Sequence, residues 1–156
     1  MMLEPGANGW VIVDLDGTVC DIAHRVHHAQ NRDWEAFHSA LPLDQPFPHM
    51  AQLIHCLYSC NVSMLVITGR PETYRAKTLA WLQQHSLASR FDDIMMRPEK
   101  DYTPDTALKL RLLDEFFGNR EEALRRVLFA LDDRDRVVEA YRNAGFKCFQ
   151  VAEGKY

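Results

Sequence analysis

Cysteine pairs are missing from this sequence. Its four cysteines, Cys20, Cys56, Cys60 and Cys148, form no Cys-x-x-Cys unit. Cys56 and Cys60 stand four apart in a helical pattern with no second ligand pair beside them. That argues against a zinc site or a disulfide framework and predicts reduced, mostly buried thiols. An excess of basic residues is missing too. Lys and Arg number 18 against 22 Asp and Glu, a formal net charge of −4, which speaks against broad, sequence-independent binding along nucleic acid. Recognition of a single phosphate end by a few local arginines is compatible with that balance. No apolar run is long enough to cross a membrane. The N-terminus carries neither a basic segment nor an apolar core, so no secretory signal is expected and the expected location is cytoplasmic. Internal repeats, low-complexity tracts and linkers are absent.

What is present is enough for one domain with a real core: 156 residues, 47% of them apolar. After a short lead-in over residues 1–9, Trp10–Leu15 reads as a strand. Residues 19–48 read as an irregular excursion containing one helical stretch, 32–40, with Trp34, Phe37 and Leu41 on one side. Pro42, Pro46 and Pro48 then break the chain, and the whole excursion has the size of a small cap. Helices are expected over 49–60 (Met50, Leu53, Ile54, Leu57), 72–85 (Tyr74, Thr78, Trp81, Leu82), 104–117 (capped by Thr103, opened by Pro104, apolar at Leu108, Leu112 and Phe116) and 137–144 (stopped by Gly145). Strands are expected over 62–67, 94–97, 127–131 and 147–151. Strands alternating with helices define an α/β fold with a parallel sheet covered on both faces.

In such sheets ligands bind outside the carboxyl ends of the strands. The polar clusters of this sequence fall there: Asp14 and Asp16, Thr68 and Arg70, Arg97, and Asp132 with Asp133. An apolar strand that ends in two carboxylates and a glycine is unusual. Alternation along the strand points Asp14 and Asp16 the same way, and two like charges side by side need a cation or a retained proton. An Asp-Gly turn explains Gly17 but not Asp14, and Thr18 is placed to hydrogen-bond back and hold the loop. Four carboxylates from two strand ends are tolerable around a hard cation such as Mg²⁺, which takes oxygen ligands and keeps some waters. Thr68 offers a hydroxyl and, with Gly69, backbone N–H groups for an anion. Lys109 lies four residues after Asp105 on one helix face. It is suited to neutralise phosphoryl charge, the plainer alternative being a surface ion pair with Asp105. Lys100 competes for that role from a loop.

These stretches, DLDGT (14–18), VITGR (66–70), Lys109 and LDDRDRV (131–137), resemble in order the four motifs of the haloacid dehalogenase (HAD) superfamily of phosphohydrolases. The resemblance implies a HAD-like Rossmannoid fold with a small cap at 19–48. It makes Asp14 the nucleophile that forms an aspartyl-phosphate and Asp16 the general acid and base. Asp14, Asp16 through its backbone carbonyl, Asp132 and Asp133 would hold Mg²⁺, while Thr68 and Lys109 clamp the phosphoryl oxygens. VITGRPETYR, MMRPEKDYTPDTALK and FALDDRDRVVEAYRNAGFKCFQVAEGKY, and more weakly Asp44-Gln45-Pro46, are similar to the phosphatase domain of bacteriophage polynucleotide kinase. That family removes 3′-phosphates from nucleic acid ends. By that resemblance Asp105 orients Lys109, and Arg70 and Arg97 contact the substrate phosphate or sugar. The kinase half requires G-x-x-x-x-G-K-[ST], which does not occur here. A separate kinase protein and self-association therefore enter as open partnerships beside the phosphorylated nucleic acid end or nucleotide.

Two other readings use the same residue types. A small-molecule or 5′-nucleotide phosphatase would share the chemistry, although a minimal cap leaves the site open to large substrates. A phospho-acceptor domain of the response-regulator type also surrounds Mg²⁺ with acids, a Thr and a Lys, but it places its acidic pair after the first strand. His24, His27 and His28 cluster without metal-ligand geometry and read as solvated or packed against the cap. Trp34 and Phe37 read as core before base-stacking surface, and Arg125-Arg126 as helix surface.

Overall fold

The computed structural model describes residues 6–154, so the first five residues of the lead-in and the last two of the C-terminal motif stretch lie outside the described residues. Five parallel strands form the main sheet: β1 (Trp10–Val13), β4 (Ser63–Pro71), β5 (Asp93–Arg97), β6 (Val127–Arg134) and β7 (Cys148–Gly154), in the order β5-β4-β1-β6-β7. Helices α3 (Pro48–Ser59), α4 (Arg75–Gln84), α5 (Asp105–Phe117), α6 (Arg120–Arg126) and α7 (Asp135–Asn143) connect them. Numbered along the chain, the main strands run 3-2-1-4-5. Response regulators run 2-1-3-4-5, so the topology sets that reading aside.

Side-chain alternation builds two apolar layers. Val11, Val13, Met64 and Val66 pack on one face with Met50 and Ile54 of α3 and Trp81 and Leu82 of α4. Trp10, Ile12, Leu65 and Ile67 pack on the other with Leu108, Leu112, Leu113 and Phe117 of α5 and Val137, Val138 and Tyr141 of α7. Strands covered on both faces must be apolar throughout, which is why β1 is a continuous buried run rather than an alternating one.

The strand ends differ from the sequence expectation in a way that shapes the site. β1 stops at Val13, two residues early. The Leu15 carbonyl accepts the N–H groups of Thr18, Val19 and Cys20 at 2.8–3.1 Å, and Gly17 takes a φ of 79°, a value that favours glycine. The backbone therefore turns before alternation can align Asp14 with Asp16. β4 and β6 instead run past their expected ends, through Thr68 and through Asp132-Asp133. Helix α5 begins at Asp105, with no side-chain cap, rather than at Pro104. Of the thiols, Cys20 and Cys148 are buried. Cys56, on α3, and Cys60, just past its end, are exposed, which corrects the expectation of mostly buried cysteines.

The excursion between β1 and α3 folds as a small unit beside the strand ends. β2 (Cys20–Asp21) and β3 (Gln45–Pro46) pair antiparallel at its base. α1 (Val26–Gln30) and α2 (Trp34–Ser39) lie between them, and the Asp33 carboxylate caps α2 by accepting from Ala36 N at 3.1 Å. Phe37 and Leu41 are buried as expected, but Trp34 is exposed. His38 is buried against the rings of Phe37 and Tyr74, and its Nδ1 has no hydrogen-bond partner among the described residues.

Burial holds the His38 imidazole down to about 4; the fields of Arg25, Arg70 and Arg97 act the same way, and that of Asp16 opposes them. Between pH 6.5 and 4 the unfolded chain thus binds more protons at this residue than the folded one. Its contribution to stability is complete above pH 6.5 and is lost as pH falls through 4. His38→Gln is expected to flatten the acid limb of a stability-against-pH curve over that window, by ~3 to 4 kcal/mol at 1.36 kcal/mol per unit. Parallel curves for the two proteins would disprove it.

Candidate active site

Asp14 emerges where β1 ends, its N–H donated to Leu131 O of β6 at 3.1 Å. Its carboxylate lies between two donors from different elements. Lys109 Nζ, from α5, donates to Asp14 Oδ1 at 2.8 Å and to Asp132 Oδ2 at 2.6 Å. The Thr18 hydroxyl lies 3.3 Å from Asp14 Oδ2 and 3.2 Å from Asp133 Oδ1. All five residues are buried. Asp132 is fixed in turn by the Arg134 N–H at 3.1 Å. Asp133 is fixed through its backbone: its carbonyl accepts from Gln150 Nε2 at 3.0 Å, and Gly154 passes so close to it that any Cβ there would collide. The Gly that ends β7 is thus required by the acidic pair of β6, a constraint that no local pattern announces.

Burial, the largest influence, pushes the Asp14 carboxyl well up. Lys109 opposes this, while Asp132 and Asp133 add to it. Burial alone would discharge Lys109, but Asp132 and Asp14 outweigh it and keep the ammonium charged. One ammonium therefore faces three buried carboxylates. Asp14, Asp132 and Asp133 each bring an oxygen within 4.8 Å of the others. An all-oxygen donor set with surplus negative charge fits a hard divalent cation.

The Asp16 side chain does not join that group. It lies with Cys20 and Asp44 and is taken up by two buried guanidinium groups. Arg25 Nη2 and Arg70 Nη2 each reach Asp16 Oδ1 at 2.6 Å, and Arg70 Nε adds a fork at 3.1 Å to both oxygens. Asp44, fully buried, accepts from Arg25 Nε at 2.7 Å and Arg25 Nη2 at 2.5 Å, while His24 Nε2 lies 2.8 Å from it. Burial alone would raise the Asp16 carboxyl. Arg70 and Arg25 outweigh burial and hold it ionised, below the usual carboxylate range. Burial likewise pushes the Cys20 thiol up, out of the nucleophile range. A metal role for the Asp16 side chain is not what this packing provides.

Arg70 has no exposed side-chain surface. Besides Asp16 it reaches Thr78 Oγ1, Cys20 Sγ and Asp44, so the residue that resemblance assigned to substrate is here the wall behind Asp16. Arg97 is also heavily engaged. It donates to Gly69 O at 3.1 Å, Asp101 O at 3.0 Å and Thr103 O at 2.7 Å, and pairs with Asp105, which uses at least four of its five N–H donors. Asp105 pairs with Arg97 and Arg134. It does not hold Lys109 directly, as the resemblance implied, because the ammonium is turned to Asp14 and Asp132; its field still reaches Lys109. Thr68 is buried, its hydroxyl accepting the Arg70 N–H at 3.2 Å. Lys100 is exposed on its loop, so geometry favours Lys109. His27 and His28 stack on each other, His24 reaches Asp44, and no histidine belongs to the Asp14, Asp132 and Asp133 group among the described residues.

The sequence reading missed Arg25 and Arg134 and did not place Asp44 in the site. Arg25 and Asp44 sit in the irregular 19–48 stretch, where no periodicity marks a buried charge.

This arrangement of strand ends on a parallel sheet is that of HAD-like hydrolases. A haloacid dehalogenase-like hydrolase from Streptococcus pneumoniae superposes with a TM-score of 0.65 at 12% identity, over 91% of this chain and 83% of its own. The chain belongs to the family described as the polynucleotide kinase PNKP phosphatase domain, whose model matches residues 8–156. Higher similarity is to a chain in the Pnkp1/Rnl/Hen1 RNA repair complex, with TM-score 0.78 and 25% identity over 100% of this chain and 47% of that one. A second structure of the Pnkp1/Rnl/Hen1 complex gives TM-score 0.75 and 27% identity, covering 94% and 46%. The chain spans about half the length of these two relatives. A comparison with curated protein sequences gives no match. Among the described residues no helix is long and apolar enough to cross a membrane.

Proposed function

We propose that this chain is a Mg²⁺-dependent phosphomonoesterase that removes 3′-phosphates from polynucleotide ends or nucleotides through an aspartyl-phosphate on Asp14. The observation that carries this reading is the buried Asp14 carboxylate held between Lys109 and Thr18 beside Asp132 and Asp133, in a chain of a phosphatase family. Asp14, Asp132 and Asp133 would hold Mg²⁺, which when bound offsets their charge and polarises a phosphoryl oxygen.

Asp14 attacks phosphorus with one carboxylate oxygen, and the ester P–O bond to the sugar breaks. The leaving oxygen takes a proton from Asp16. Water then attacks the phosphorus, gives a proton back to Asp16, and the bond to Asp14 breaks to release phosphate. Asp16 as packed, ionised between two arginines, is set for the second of these tasks, and the first requires it to arrive protonated. Lys109 and the Thr68–Gly69 turn neutralise charge on the phosphoryl oxygens.

A nucleic acid end as substrate is supported by the family and by likeness to the RNA repair complex. Any kinase activity would come from outside these residues, since G-x-x-x-x-G-K-[ST] is absent from them. A small-ester or 5′-nucleotide phosphatase remains the second reading, because both use the same Asp14 cluster.

The test is phosphate release with Mg²⁺ from two oligonucleotides of one sequence, phosphorylated at the 3′ or the 5′ end. Release from the 3′ end at least ~10-fold faster is expected, equivalent to ~1.4 kcal/mol of discrimination, and chelator should abolish it. Equal rates, or release from small esters alone, would move the substrate to the second reading.

A further inference from the structure

We propose that Tyr102 is a base-stacking residue that holds the nucleotide next to the scissile 3′-phosphate; the proposal rests on the polynucleotide reading above. Tyr102 is 90% exposed, more than any other large apolar side chain among the described residues, the next being Leu43 at 70%. A single exposed apolar residue is ordinary on a protein surface. This one differs in how its backbone is held and where.

Tyr102 sits in the loop between β5 and α5, bounded by Pro98 and Pro104, at the carboxyl end of the sheet. It is the central residue of an Asx turn: Asp101 Oδ1 accepts the Thr103 N–H at 2.9 Å. The carbonyls on either side of it, of Asp101 and Thr103, are both gripped by Arg97 Nη1. Arg111 of α5 fastens the other Asp101 oxygen. Lys100 takes a left-handed φ of 58°, and the Thr73 hydroxyl donates to Glu99 at 3.4 Å. A loop fixed at this many points ordinarily tucks its aromatic ring inward. Here Arg97, Asp101 and Thr103 are half-buried, and the ring is presented to solvent.

The anchor is part of the site wall. Arg97, which grips both flanking carbonyls, also holds Gly69 O of the turn after Thr68 and pairs with Asp105. Asp105 is one helical turn before Lys109, whose ammonium touches Asp14. Tyr102 Cα lies within about 11 Å of Asp105 Cα, three trans peptides away. In this proposal a base next to the scissile phosphate stacks on that ring, and Lys100, exposed beside it, is available to a backbone phosphate. Stacking on a preorganised ring adds affinity without the cost of ordering the loop, and any base has a face to offer. Trp34, an exposed aromatic of the excursion, lacks such mooring: its ring meets Phe37 edge-on at 6.0 Å.

The test compares wild type, Tyr102→Ala and Tyr102→Phe. The substrates are a 3′-phosphorylated DNA oligonucleotide, the same oligonucleotide with abasic residues at its last two positions, and p-nitrophenyl phosphate. The Ala variant is expected to raise KM for the base-bearing oligonucleotide roughly 5- to 150-fold, the span of one stacked base, with kcat within about twofold. Phe should restore KM, and p-nitrophenyl phosphate kinetics should be unchanged. Abasic substrate should give wild type the KM of the Ala variant and leave the variant's own KM unaltered. Release with wild-type KM by the Ala variant, or an equal KM rise on the abasic substrate, overturns the stacking role and leaves the 3′-phosphatase reading intact. Absence of release from any oligonucleotide by wild type, with p-nitrophenyl phosphate still cleaved, overturns both.

Discussion

Asp14→Asn is expected to lower phosphate release by at least ~10⁴-fold, ~5.4 kcal/mol at 1.36 kcal/mol per decade, while the protein stays folded. The amide keeps the shape of the carboxylate but has no oxygen lone pair basic enough to open the attack on phosphorus. It also keeps an oxygen for Lys109, which now reaches Asp14 Oδ1 at 2.8 Å and retains Asp132 at 2.6 Å. Loss of activity with retained fold separates a chemical role from a structural one. The fold should be retained because three buried carboxylates share one ammonium, so removing one charge relieves repulsion that burial magnifies. The Tm of the Asp14→Asn variant without divalent cation is therefore expected to equal or exceed that of wild type, and its gain on adding Mg²⁺ to be smaller, since a ligand stabilises by its affinity for the folded state. Two measurements decide the matter: steady-state release from a 3′-phosphorylated oligonucleotide, and acid-quenched trapping of labelled phosphate on the protein. Release at the wild-type rate by the Asp14→Asn variant would overturn the nucleophile assignment; a label on that variant would move it to another residue.

The cluster around Asp14 was largely legible because it obeys a topological rule. Polar residues that close apolar strands of a parallel sheet must converge at one edge, so Asp14, Asp132 and Asp133 could be gathered before their neighbours were known. Lys109 could be gathered because a helix start follows β5 at that edge. The order of helices and strands was legible for the same reason: β1, β4 and their helices carry the apolar periods that two-faced burial demands.

The pairing of Asp14 with Asp16 failed on a local rule. Period-two alternation holds only while the chain is a strand, and β1 ends at Val13. The Leu15 carbonyl then gathers three N–H groups, and the Asp16 side chain is delivered to a different set of partners. The partners of Arg70 and Arg97 were not legible for a different reason. An arginine near a phosphate site reads as a phosphate ligand, yet a guanidinium with five donors is equally suited to tying loops together. Arg97 ties Gly69, Asp101, Thr103 and Asp105. Arg25 gave no signal at all. Its stretch has no apolar period, and nothing distinguishes a buried arginine from an exposed one in a single sequence.

Arg25→Met is expected to cost ~3–5 kcal/mol of stability, the range for breaking a buried ion pair by removing one partner, or about 6–20 °C in Tm for a chain of this size. Arg25 is fully buried. It reaches Asp16 at 2.6 Å, Asp44 at 2.7 and 2.5 Å and Phe37 O at 3.3 Å, and its guanidinium lies 4.2 Å from the centre of the Phe37 ring. Two buried arginines here face two carboxylates, and removing one leaves Arg70 as the one guanidinium for both, reaching Asp44 only at 3.4 Å, with His24 at 2.8 Å beside it. Methionine fills the space of the stem without the charge, so the loss measures the unpaired carboxylates rather than a cavity. A second substitution tests that attribution: Asp44→Asn in the Arg25→Met background should recover part of the loss, because it removes one of the stranded charges, whereas in wild type it should be destabilising. That sign reversal is the signature of coupling within one network. Urea unfolding of the four proteins reads it. A loss under about 1 kcal/mol for Arg25→Met, the worth of an exposed pair, or additive effects of the two substitutions, would show that Arg25 does not hold this network. Activity should fall with the first substitution as well, since Arg25 and Arg70 together fix where the Asp16 carboxylate stands. The excursion that carries Arg25 and Asp44 is thus joined to the proposed proton-transfer residue by charge, and its fold and the placement of Asp16 are one equilibrium.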